Sequence, residues 1–132
     1  MMHLALPAVI LWLNAVVFLL YGLVFALAPE VMSTLVTGSS PSTGSGLTDM
    51  RSTYGGMSIG LGLLLGLAAR RPANHSLGLL GVVAIMVGMG CTRVLGMLVD
   101  GHANAGMYVY LALEVVMAGL ALWVFRRLDP SG

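Results

Sequence analysis

The chain has 132 residues, of which 58% are hydrophobic and 8% are charged, and its mean hydropathy is +0.97. A soluble domain carries about 25% charged residues, and at this length it cannot remove so much apolar surface from water. The composition therefore excludes a cytosolic enzyme, a disordered tail and a nucleic-acid-binding protein. It indicates an integral membrane protein with the lipid bilayer as its first partner.

Four apolar stretches follow one another along the chain. A helix needs about 20 apolar residues to cross a bilayer core about 30 Å thick, and backbone groups in lipid must pair within the segment. The predicted helices cover residues 4–28, 50–69, 76–99 and 105–125. Short connections after the second and third helices predict antiparallel neighbours. We therefore expect an all-α fold, with one transmembrane domain over residues 1–132 built as a four-helix bundle of up-down topology.

The longest predicted connection runs from Pro29 to Thr48. Residues 37–46 are rich in Gly, Ser, Thr and Pro, a composition typical of a flexible segment. The apolar residues just before them, among them Val31 and Leu35, indicate a short helix at the membrane interface.

The arginines predict the orientation of the bundle. Arg70 and Arg71 end the second helix, and Arg126 and Arg127 end the fourth, so an even number of spans places all four on the side of the termini. Positive charge favours the cytoplasmic side. We expect a multi-pass protein of the inner (cytoplasmic) membrane with both termini in the cytoplasm, and a solvated His75 at that boundary.

Small residues recur along the second and third helices at intervals of four. Ser58, Gly62 and Gly66 share one face, and small residues allow membrane helices to approach closely. These faces have two interpretations, which are packing within the bundle and a homo-oligomer interface. The corresponding face of the third helix consists of Ala84, Gly88, Thr92 and Gly96.

Each predicted helix also carries a polar face, since residues three, four and seven apart lie on the same side. Lipid disfavours such groups, so we expect the four faces to meet at the bundle axis. Their members are Asn14 and Tyr21 on the first helix, Arg51 and Tyr54 on the second, Arg93 and Asp100 on the third, and Tyr110 and Glu114 on the fourth.

Arg93 and Glu114 lie at similar predicted depths in the membrane. A helical rise of about 1.5 Å per residue places Arg93 about 10 Å and Glu114 about 13 Å from the outer ends of their helices. A charge near mid-bilayer is penalised by at least about 2.5–3.5 kcal/mol, and pairing relieves that penalty. The sequence therefore predicts an ion pair between Arg93 and Glu114.

We interpret these residues as a polar pocket that opens toward the outer face. Glu114 and Arg93 are the candidate catalytic residues, since a buried carboxylate can move a proton and an arginine can stabilise negative charge. No metal site and no cofactor is expected. The opposing interpretation is that the Arg93–Glu114 pair only fixes helix packing. The candidate substrate-binding residues are Asn14, Tyr21, Asp49, Arg51, Tyr54, Asp100 and Tyr110.

Two segments resemble a known family. They are DMRSTYGG, which begins at Asp49, and RVLGMLVDG, which begins at Arg93, and Glu114 follows them in the last helix. Together they resemble small bacterial four-helix membrane proteins of unknown function, over nearly the whole chain. The resemblance implies the four-helix fold and the importance of Arg51, Tyr54, Arg93 and Glu114, and it implies no activity.

The leading functional hypothesis is a protein that binds an apolar or amphipathic small molecule arriving from the membrane. Conversion of that molecule stays open, and an enzyme of this kind would be a cofactor-independent isomerase or cyclase, or would open an epoxide. The alternatives are a structural or accessory membrane subunit, and a transporter of small solutes or protons. Association into a homo-oligomer is compatible with each of them.

Overall fold

The computed structural model describes residues 2–128, with side chains from residue 5 onward. The all-α prediction is confirmed, because the regular elements within these residues are all helices. The α-helices are α1 (Met2–Leu27), α2 (Pro29–Thr37), α3 (Gly44–Met50), α4 (Met57–Ala69), α5 (His75–Asp100) and α6 (Ala105–Leu128), with a π-helical turn at Arg51–Gly56 and a 3₁₀ turn at Pro72–Asn74.

Four helical stretches are long and apolar enough to cross a membrane, in agreement with the number predicted. This finding indicates a multi-pass membrane protein. The stretches are Ala5–Leu27, Gly44–Ala69, Pro72–Asp100 and Ala105–Leu128.

The second stretch begins at Gly44, earlier than the predicted start at residue 50. Thr43 explains the difference, because its side chain accepts a hydrogen bond from the Gly46 backbone N–H at 3.1 Å and so caps the first turn of α3. The π-helical turn then joins α3 to α4 without a break.

The short helix expected after the first span is α2. Helix α2 begins with Pro29, at a position where a backbone N–H would have no acceptor within the helix. Its last residue, Thr37, is followed by the capping residue Gly38, whose left-handed φ of 86° suits glycine. Ser33 and Val36 are buried, whereas Val31 and Leu35 are exposed.

The chain divides into two compact units, of which one is Leu13–Leu67. In this unit α1 packs closely on the second span. A Cβ atom added at Gly62 would lie 2.9 Å from the Ala15 carbonyl oxygen, and one added at Gly22 would lie 2.7 Å from the Gly55 carbonyl oxygen. Backbone-to-backbone packing at small residues supports the intramolecular interpretation for Gly62.

The other unit combines the start of α1 with the chain from Ala68 onward. Its helices pack closely at Gly78, where an added Cβ would lie 2.9 Å from Leu11 and 3.0 Å from Ala68. Leu79 and Val82, on the same part of α5, are fully buried. Helix α5 also packs on α6.

The prediction of a solvated His75 was wrong. Its side chain is 4% exposed, and Nε2 lies 3.1 Å from the Ala69 carbonyl oxygen. The 3₁₀ turn brings the start of α5 back to the end of α4, so the imidazole bridges the turn instead of reaching the boundary water.

Candidate functional site

Arg93 of α5 and Glu114 of α6 form the predicted ion pair. The Arg93 Nη2 donates to Glu114 Oε1 at 2.5 Å, and Nε lies 3.2 Å from Oε1 and 3.1 Å from Oε2. Glu114 is 4% exposed. Because the guanidinium engages both carboxylate oxygens, the pair has the side-on geometry that makes such contacts strong.

The rest of the α6 face also surrounds the guanidinium. Arg93 Nη1 donates to the Met107 Sδ at 3.1 Å, and the Arg93 Cζ lies 5.3 Å from the centre of the Tyr110 ring. Met107, Tyr110 and Glu114 are three and four residues apart, which places them on one helix face. The soft sulfur and the ring face both stabilise a cation that lies away from water.

An open groove of about 480 Å³ runs between α5 and α6 beside this pair. Among the described residues that line it, only Glu114 carries a charge. The apolar lining includes Met86 and Val94 from α5 and Leu111, Val115 and Ala118 from α6. The arrangement presents one carboxylate at an otherwise hydrocarbon-like surface.

Arg51 contacts the end of α1. Its Nη1 donates to the carbonyl oxygen of Ala26 and, at 3.3 Å, to that of Leu27. The last carbonyls of a helix lack intrahelical partners. Arg51 therefore satisfies backbone acceptors where α1 ends ahead of Pro29.

Tyr54 packs on the same end of α1. Its ring stacks on Phe25 with centres 5.1 Å apart, and Phe25 in turn lies 4.9 Å from Tyr21. A Cβ added at Gly55 would lie 3.0 Å from the Ala26 backbone nitrogen. The Arg-x-x-Tyr-Gly sequence of the π-helical turn therefore attaches the second span to the last turns of α1.

A family model described as a domain of unknown function matches residues 7–125. The chain belongs to the DUF4345 family. Neither a curated protein nor a solved structure matches it. The family description names no activity, so the chemistry of this DUF4345 protein rests on the geometry of its residues.

The remaining predicted site residues occupy different environments. Asn14 is 3% exposed within α1. Asp49 is exposed, and its Oδ1 accepts from the Thr53 hydroxyl at 3.4 Å. Asp100 is exposed at the last residue of α5.

Some of the predicted site residues of this DUF4345 protein meet within each compact unit. Arg93, Tyr110 and Glu114 form one group, and Tyr21 and Tyr54 are joined through Phe25. A single pocket shared by both groups stays a prediction.

Sequence reasoning missed two features of these groups. The carbonyl partners of Arg51 carry no signature in the sequence, because every residue has a carbonyl oxygen. A pocket at Glu114 was predicted, but Leu111 was missed as part of its lining, although Leu111 and Ala118, three residues before and four after Glu114, follow the spacing of one helix face.

Proposed function

We propose that this DUF4345 protein binds an apolar or amphipathic small molecule at the Arg93–Glu114 pair. One observation carries the proposal: an ion pair inside apolar, span-length helices has its carboxylate on an open apolar groove. Ionisable groups at membrane depth are costly and usually serve a function. The groove volume is also within the range of about 300–1,000 Å³ typical of small-molecule sites.

The proposal includes insertion in the inner membrane of a bacterium, as an antiparallel bundle with both termini in the cytoplasm. The lengths and apolar compositions of the four spans support insertion. Contacts between Arg93 and Glu114, on helices joined by residues 101–104, support antiparallel α5 and α6. Arg126 and Arg127 in the last turn of α6 support the orientation.

If the bound molecule is converted, Glu114 is the group suited to moving a proton, and Arg93 is suited to stabilising negative charge. Isomerisation, cyclisation and epoxide opening all need no more than this.

A structural role for the pair is the second candidate. It is favoured by the hydrogen bonds through which Arg93 engages both oxygens of Glu114. Such a pair can specify a single packing of α5 on α6 without binding anything.

Co-purification tests the binding proposal. Wild-type protein, Glu114→Gln and the matched control Val116→Leu, at an exposed position of α6, are purified from membranes, and their organic extracts are compared by mass spectrometry. We expect one molecule to be enriched with the wild type and Val116→Leu and depleted with Glu114→Gln at equal helicity and oligomeric state. Equal extracts from all three folded proteins would contradict the proposal.

A further inference from the structure

Glu114, and not Arg93, is the polar group that the α5/α6 groove presents to an occupant. Glu114 lines the groove, and Arg93 is absent from its described lining. The guanidinium is 18% exposed and lies against the carboxylate, Met107 and Tyr110. A molecule in the groove therefore meets a hydrogen-bond acceptor with a negative charge.

Gly90 is a buried residue of α5 that lies directly beside this acceptor. A Cβ added at Gly90 would lie 3.7 Å from Glu114 Oε2 and 3.7 Å from Leu111. The absence of a side chain there leaves a notch of methyl size directly beside the carboxylate. Gly81 and Gly88, which also lie on α5, face open space, where an added Cβ meets nothing within 4 Å.

The carboxylate retains hydrogen-bonding capacity on this side. Oε2 accepts from Arg93 Nε at 3.1 Å, and each carboxylate oxygen can accept about two hydrogen bonds. A hydroxyl group in the Gly90 notch would be a suitable donor. A second carboxylate would be unsuitable, since an ionised carboxylate can only accept hydrogen bonds.

We infer that the α5/α6 groove takes a neutral long-chain alcohol, with the hydroxyl in the Gly90 notch donating to Glu114 and the hydrocarbon chain along the apolar lining. This inference rests on the proposed function and narrows it to one ligand class and one groove. The chain finds apolar contacts with residues such as Met86, Val94 and Val115. The ion pair behind the hydroxyl holds the Glu114 carboxylate in place.

Photolabelling tests the inference on the full-length protein in phosphatidylcholine nanodiscs, since this lipid has no hydrogen-bond donor in its headgroup. A long-chain alcohol carrying a diazirine is photolysed, and labelled residues are read by mass spectrometry. In parallel samples, decanol, decanoate or decane is added before photolysis to compete with the labelled alcohol for the groove. We expect labelling on the α5 and α6 residues that line the groove, with decanol competing at about tenfold lower concentration than the other two, the effect of one charge-assisted hydrogen bond.

Substitutions at Gly90 supply the structural control. Gly90→Ala places a methyl group at ordinary contact distance, so the protein should fold and its labelling should weaken, whereas Gly90→Leu should abolish labelling of the groove. Gly88→Ala and Gly88→Leu change the same helix in open space and should leave labelling unchanged.

The alternative outcomes separate the inference from the proposed function. Equal competition by decane would mean that the groove holds only hydrocarbon, and stronger competition by decanoate would mean that the headgroup was assigned wrongly. Glu114→Gln is labelled in the same way, and a loss of labelling in this variant but in neither Gly90 variant would overturn the groove and leave the proposed function standing. Labelling that depends on neither residue would overturn both.

Discussion

At the scale of single residues, the scarcity of charge makes each charged side chain informative. Arg93 and Glu114 meet on adjacent helices, whereas Arg51 donates to the backbone carbonyls at the end of α1. Both arginines lie within span-length segments, Gly44–Ala69 and Pro72–Asp100, yet their partners differ in kind. A side chain partner leaves a signature in the sequence, and a backbone partner does not.

A double-mutant cycle separates the structural from the functional role of the ion pair. Arg93→Met should lower the free energy of unfolding by roughly 3–5 kcal/mol, because it leaves a buried carboxylate without its partner. The double variant Arg93→Met/Glu114→Leu should regain most of that stability while failing to retain the co-purifying molecule. Unfolding in mixed micelles and mass spectrometry of extracts measure the two effects. Retention of the molecule by the double variant would assign the pair to packing alone.

At the scale of helices, glycine has different consequences at different positions. In the Leu13–Leu67 unit, Gly22, Gly55 and Gly62 allow backbones to touch. On α5, Gly88 faces open space and Gly90 faces Glu114. A small residue is thus needed for close packing at one site and lies beside a carboxylate at another. Gly88 with its exposed neighbours Ala84 and Thr92 keeps the homo-oligomer prediction open.

Alanine substitutions test the packing of α1 on the second span. Gly62→Ala should destabilise the protein by about 1–3 kcal/mol, because the new methyl group would lie 2.7 Å from Leu19 and 2.9 Å from the Ala15 carbonyl oxygen. Gly60→Ala, on the same helix, meets nothing within 4 Å and should be neutral or slightly stabilising, since alanine favours helix more than glycine. Unfolding in mixed micelles measures both. Equal shifts in the two variants would exclude close packing at Gly62.

At the scale of the whole molecule, charge at the helix ends determines the expected orientation. Arg126 and Arg127 end α6, and Arg127 lies with its Cζ 3.8 Å from the Trp123 ring centre. An aromatic ring beside an arginine is typical of a helix end at the membrane interface. Arg70 and Arg71, which follow α4, are exposed.

Reporter fusions test that orientation. A green fluorescent protein fused after residue 132 should fluoresce, and alkaline phosphatase at the same position should be inactive, because both reporters would lie in the cytoplasm. The same reporters inserted in the 101–104 connection should give the reverse pattern. An active phosphatase at the C-terminus would contradict the proposed topology.

The sequence by itself determined the fold class, the number of span-length helices and the Arg93–Glu114 pair. These follow from composition, from the length of a bilayer-spanning helix and from the cost of an unpaired charge in lipid, all of which are local or pairwise properties. The tertiary structure alone decided that Arg51 contacts the end of α1, that His75 is buried and that Gly90 lies beside Glu114 in the α5/α6 groove. Those features depend on the positions of backbone atoms and on the distances between helices, which cannot be inferred from the order of the side chains alone.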